Sequence, residues 1–161
     1  MYFAQGDLFH GMGKEFVKEI MDIAVKESYE KAGVLFHKGD AASHFYILLK
    51  GDVRLTTGEA GHVIHVVSHA GEAFGWSSLA ERDVYSASAE CSKPTTLLKI
   101  NGNTLQEILA KDPANGVVFY KRLAGTLGRR LVQSYGMIGS ASQAESSSSF
   151  GAGHLMETHP S

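Results

Sequence analysis

The chain has 161 residues, 43% of them apolar and 20% charged, which suffices for one domain with a hydrophobic core and excludes a fibre or a two-domain enzyme. Fifteen basic against seventeen acidic side chains leave a formal charge of −2, so the chain as a whole carries no electrostatic footprint for nucleic acid. One cysteine, Cys91, excludes an internal disulfide, a four-thiolate zinc site and an iron–sulfur cluster, and fits a reducing compartment.

No stretch approaches the roughly 18 consecutive apolar residues of a membrane span, and no basic segment with a following apolar run opens the chain. A cytoplasmic location without membrane contact is the expectation. Eighteen glycines against three prolines, most of them set between short apolar runs, point to many tight turns.

In chain order, Gly13 to Glu27 places Phe16, Val17, Ile20, Met21, Ile23 and Ala24 at three-and-four spacing, which predicts a leading amphipathic helix. From Ser28 to Ile100 the period changes. The runs Val34-Leu35-Phe36, Phe45 to Leu49 and Val63 to Val67 are short, rich in β-branched and aromatic residues, and bounded by turns, so strands are expected. Gly39, Gly51, Gly58, Gly61 and Gly71 supply the positive φ of tight turns, and strands recurring about every ten residues have the cadence of an all-β sandwich or barrel.

Two helices follow. Asn103 is placed to cap the first, with Gln106 at the return position of a capping box and Leu105, Ile108 and Leu109 as the buried stripe. Asp112-Pro113 starts the second, because the aspartate accepts orphan amide protons and proline fits the first turn. Along this long helix Val117, Tyr120, Ala124, Leu127, Leu131, Ser134 and Ile138 alternate three and four apart, as in a coiled-coil seam. Two readings stand: self-association into a homodimer through Val117, Tyr120, Ala124, Leu127 and Leu131, or packing of this face on the β domain. The expected domain is 1–138, with 139–161 a flexible Ser/Gly-rich tail.

Gly39-Asp40, Ala42, Phe45-Tyr46-Ile47-Leu48 and Gly51, with Val53 and Leu55, resemble the first signature of cyclic nucleotide-binding domains. Gly71-Glu72-Ala73-Phe74-Gly75 resembles the lead-in to that family's phosphate-binding cassette. The resemblance covers roughly residues 11 to 136 and implies a mainly β fold with flanking helices: a double-stranded β-helix or jelly roll between an N-terminal helix and a long C-terminal one. It also implies a cassette in which a short helix offers amide protons to a cyclic phosphate. The candidate ligand-binding residues are then Phe74, Gly75, Trp76, Ser77, Ser78, Leu79, Tyr85, Ser86 and Ala87.

Two departures stand inside that cassette. Where the family places a ribose-binding glutamate the chain has Trp76, whose indole donates one hydrogen bond and accepts none. Where the family places a phosphate-binding arginine it has Tyr85, which removes the fixed cation. Ser77, Ser78, Ser86 and Ser88 remain as hydroxyl donors, and Arg82 is a nearby cation between Glu81 and Asp83. Trp76 either stacks on a purine or plugs the vacated cavity.

Eight histidines raise the question of metal or haem, but the strand alternation brings no three together, and no metal site is expected. No Gly-x-Ser-x-Gly elbow, phosphate loop or paired metal motif points to an enzyme. No helix-turn-helix follows the long helix, so direct nucleic-acid binding is not expected. The sequence therefore suggests a stand-alone regulatory sensor, with two forms. In one it binds a cyclic nucleotide, cAMP or cGMP, or a related small anionic effector, and signals through its dimer helix. In the other it is a ligand-independent dimeric interaction module whose pocket is filled by Trp76 and Tyr85. No other cofactor is implied.

Overall fold

The structure is a computed structural model that describes residues 7–58 and 60–148. Its elements are α1 (Lys14–Ile23), β1 (Val25–Tyr29), β2 (Val34–Phe36), β3 (His44–Lys50), β4 (Val53–Thr57), β5 (His62–Val67), β6 (Ala73–Phe74), β7 (Ser88–Cys91), β8 (Thr95–Asn101), α2 (Gly102–Lys111) and α3 (Pro113–Ser148). Two compact units divide between Leu123 and Ala124, within α3.

In the first unit the strands form two four-stranded antiparallel sheets, ordered β1-β8-β3-β6 and β2-β7-β4-β5. The mainly β fold with a leading helix and a long final helix is as the sequence indicates. Strand β3 shows why its sequence is an unbroken apolar run and not an alternation: both of its faces are covered. Tyr46 and Leu48 join Phe36, Val53, Leu55, Phe74, Tyr85, Ala89, Cys91 and Leu97 in the core cluster. On the opposite face, Phe45 meets Phe119 of α3 with ring centroids 6.0 Å apart, and both rings are fully buried.

The turns depend on glycine where the chain must take positive φ. At Gly51 (φ +113°) an added Cβ would stand 2.6 Å from Thr95 Cα and 2.7 Å from the Pro94 carbonyl oxygen, so both the backbone angle and the close approach of two strands require it.

Three sequence expectations are corrected. The leading helix does not extend to Glu27: Ala24 is already extended (φ −75°, ψ 138°), and Val25–Tyr29 pairs with β8 from Val25↔Lys99 to Tyr29↔Thr95. The helical spacing of Ile23 and Ala24 is overridden by a distant strand that gives this backbone hydrogen-bond partners. The cap of α2 is Asn101, whose side chain accepts from Thr104 N at 3.0 Å, in place of Asn103. Gln106 does not turn back to the cap but donates to the Ser78 carbonyl.

The long helix also runs past Gly139 to Ser148, into the segment whose composition suggests a tail. Ala141, Gln143, Ala144 and Glu145 are good helix formers, which offsets the serines. Residues 149–161, the rest of the expected tail, lie outside the described residues.

Within the first unit the buried face of α3 is formed by Phe119 and Leu123, not by the seam positions. Val117 and Tyr120 stay 59% and 41% exposed. In the second unit Ala124 and Leu131 are exposed and Leu127 is half-buried, while Val132, Tyr135, Met137 and Ile138 are also exposed.

Candidate functional site

Residues Phe74 to Ala87 connect the end of one sheet to the start of β7 in the other, so the segment is built by the crossover itself. Phe74 ends β6, buried, and pairs in register with Tyr46. Gly75 follows at φ +78°, a left-handed residue that turns the chain into a short 3-10 turn at Trp76–Ser78. An added Cβ there would sit 3.0 Å from both the His44 carbonyl oxygen and the Tyr46 ring. The turn closes with Ser78 N donating to the Gly75 carbonyl at 3.2 Å and Leu79 N to the Trp76 carbonyl at 2.9 Å.

Two of the four serines that the sequence offers as anion donors have hydrogen-bond partners inside the protein, one as donor and one as acceptor. Ser78 Oγ donates to the Gly75 carbonyl at 2.8 Å, and Ser88 Oγ accepts from Lys38 N at 2.8 Å. Ser77 is buried and Ser86 half-buried. Leu79 and Ala87 are buried and apolar, serving as packing around the turn. From outside, Gln106 Nε2 of α2 donates to the Ser78 carbonyl at 2.8 Å. Gly102 leaves room for that approach, since a Cβ on it would lie 2.9 Å from the same carbonyl oxygen.

Tyr85, at the arginine position of the resemblance, points inward and is 4% exposed. Its ring lies on Phe36 with centroids 3.7 Å apart and planes 14° apart. Its hydroxyl donates to the His44 carbonyl at 2.6 Å and accepts from His44 N at 2.9 Å, so both functions of the phenol are used. Tyr46 and Phe74 stack beside it with centroids 5.0 Å apart. Burial raises the Tyr85 phenol above its ordinary pKa, and it does the same for Tyr46. These four rings belong to the core cluster, which among the described residues holds no lysine or arginine.

Trp76 is placed differently. It is only half-buried and stands outside the core cluster, with the Arg82 guanidinium 6.0 Å from its ring centroid, at the outer limit of a cation–π contact. Arg82 is exposed along with Glu81 and Asp83. Of the two residues at which the resemblance implies departures, Tyr85 is buried in the core cluster, whereas Trp76 is half-buried and outside it.

The turn into β6 is tied by Glu72, a residue whose part the sequence does not reveal. Its carboxylate meets His65 Nε2 of β5 at 2.6 Å, and its other oxygen accepts from Ser68 N at 3.1 Å and His69 N at 3.3 Å. A cavity of about 340 Å³ is lined by Val34, His37, Arg54, Thr56, Ser88 and Glu90, among others; none of the residues from Phe74 to Ala87 lines it. Among the described residues no group of three or more His, Cys, Asp or Glu is placed to hold a metal ion. Among them, too, no helix is long and apolar enough to cross a membrane.

Comparison with known proteins bears on the family and the fold. Residues 26–112 match the cyclic nucleotide-binding domain family. Among curated proteins the chain is 29% identical over 126 residues to the cyclic AMP receptor protein of Thermus thermophilus, covering 77% of this chain and 56% of that one. It is 25% identical over 128 residues to a protein named as a potassium channel from Rhodopseudomonas palustris, covering 80% of this chain and 31% of the other. The chain thus spans about half or less of the length of these relatives. Among solved structures, the Thermus thermophilus catabolite activator protein superposes with a TM-score of 0.68 at 26% identity, over 85% of this chain and 63% of that one. A Geobacter metallireducens protein described as cyclic nucleotide-binding superposes with a TM-score of 0.69 at 30% identity, over 77% of this chain and 91% of that one.

Proposed function

The chain belongs to the cyclic nucleotide-binding domain family, and from that premise we propose that it is a regulatory module that works without the family's nucleotide, through contacts of its long helix. The observation that carries the reading is Tyr85. Its ring is stacked on Phe36 and its hydroxyl is spent on the His44 backbone, so the position that resembles the phosphate-binding arginine is occupied by core packing. Losing a bidentate, charge-assisted contact costs a few kcal/mol, on the order of a hundredfold or more in affinity, before the glutamate position is counted. The Ser78 hydroxyl cannot offset that while its proton is donated to the Gly75 carbonyl.

Calorimetry of the full chain with cAMP and cGMP tests this directly. No heat and no thermal shift at millimolar nucleotide is the expected result, and a Tyr85→Arg, Trp76→Glu double variant should gain binding. Micromolar binding by the wild-type chain would overturn the reading in favour of an effector at Phe74, Gly75, Trp76, Ser77, Ser78, Leu79, Tyr85, Ser86 and Ala87.

The contacts we propose are with a second copy of the chain, through α3. Support comes from the exposed apolar side chains at Val117 and Tyr120 in the first unit and at Leu131 in the second, at the three-and-four spacing of a paired helix. Light scattering should give the mass of a dimer, and half that mass for Leu127→Asp. A monomer before and after the substitution would refute it.

A further inference from the structure

The cavity on the second sheet is built from the side of its strands that faces away from the core cluster. Along β4 the buried Val53 and Leu55 alternate with half-buried Arg54 and Thr56, and it is the second pair that lines the cavity. The register sets each of them beside a residue of β7, Arg54 opposite Glu90 and Thr56 opposite Ser88, and both of these line it too. Val34 of β2, 42% exposed and opposite Glu90 on the other side, adds an apolar wall.

The polar groups gathered there are not spent on one another. Opposite charges facing each other across an antiparallel pair ordinarily join. Yet among the described residues neither Arg54 nor Glu90 forms an ion pair, with the other or with any third group. The Thr56 hydroxyl makes no hydrogen bond among them either. Ser88 Oγ accepts from Lys38 N at 2.8 Å, which leaves its own proton to give. A guanidinium and two hydroxyl protons therefore stand beside one carboxylate in a cavity of about 340 Å³, a size that holds a small molecule.

A bare anion here would be attracted by Arg54 and opposed by Glu90, and a bare cation would meet the reverse. A molecule carrying both signs a few bonds apart satisfies the two together. We infer that this face binds a small zwitterion of the α-amino acid class, its carboxylate on Arg54, Thr56 and Ser88, its ammonium on Glu90 and an apolar side chain along Val34. The site shares no residue with the Phe74–Ala87 segment, so its occupancy does not depend on whether that segment holds a nucleotide.

Amide NMR shifts of the isotopically labelled full chain, followed during titration with L-leucine, isocaproate and isoamylamine, test the assignment. The last two keep the side chain of leucine and lose its ammonium or its carboxylate. Saturable shifts centred on Arg54, Thr56, Ser88 and Glu90 are expected with leucine at about 10 mM or below. Binding should be at least about tenfold weaker with either truncated compound, and Arg54→Gln and Glu90→Gln should each weaken leucine binding by a similar factor while leaving the rest of the spectrum in place. The absence of saturable shifts with leucine would overturn the assignment, as would wild-type affinity in either variant. So would equal binding of isocaproate, which marks a plain anion site, or shifts centred on Phe74–Ala87 instead.

Discussion

Gln106 on α2 holds the carbonyl of Ser78 at 2.8 Å, a contact between residues 28 apart in the chain. The 3-10 turn of the cassette is thereby fixed from outside as well as by its own hydrogen bonds. A turn this short has little stability of its own and takes its order from such neighbours.

Gln106→Leu should therefore release the turn without unfolding the domain. Hydrogen exchange at the amides of Ser78 and Leu79 should speed up at least severalfold, while exchange in β3 and β8 stays unchanged. Uniform acceleration across the chain, or none, would show that Gln106 does not order this turn.

Tyr85→Phe keeps the stack on Phe36 and removes the hydroxyl that serves His44, leaving the His44 carbonyl and amide without that partner. A loss of about 1–2 kcal/mol is expected. Tyr85→Ala should cost more, about 3–5 kcal/mol, because it also empties the space between the sheets. Urea unfolding of both variants provides the check; equal costs would mean the ring contributes nothing beyond its hydroxyl.

Alkaline pH should act on Tyr29. Burial, together with donation of its hydroxyl to Glu27 Oε1 at 2.7 Å, raises its pKa from 10.0 to about 12. The folded chain therefore holds a proton that the unfolded chain releases, so stability is intact below pH 10 and declines between there and about pH 12. Tyr29→Phe should flatten that decline in urea titrations taken at successive pH values. An unchanged slope would place the effect on other groups.

Two glycines with similar φ should respond differently to alanine. Gly39 (φ +93°) has nothing within 4 Å of an added Cβ, so Gly39→Ala should cost about 1–2 kcal/mol for backbone strain alone. Gly51→Ala adds a collision with the backbone of Pro94 and Thr95, and should cost at least about 3 kcal/mol or prevent folding. Equal thermal shifts in the two variants would show that the strand contact can yield.

The mainly β fold with its flanking helices, and the family, were legible in local residue patterns. Gly39, Gly51 and Gly71 mark turns by a property of one residue, positive φ, and the apolar runs between them mark strands by local composition. That Tyr85 stands where the resemblance implies an arginine is likewise a reading of residue type at a spacing. Tertiary structure alone decided what no local window contains. Val25–Tyr29 became a strand because β8, some seventy residues on, supplies its hydrogen-bond partners. Asn101 became a cap because β8 ends there, and Gln106 turned to Ser78 because the crossover brings the cassette beside α2. Tyr85 went inward because Phe36 and the backbone of His44 meet it with a stacking face and a paired acceptor and donor, while Trp76 stays half-buried outside the core cluster. Burial and hydrogen-bond partners depend on residues distant in the chain, and they decide which of these two side chains packs between the sheets.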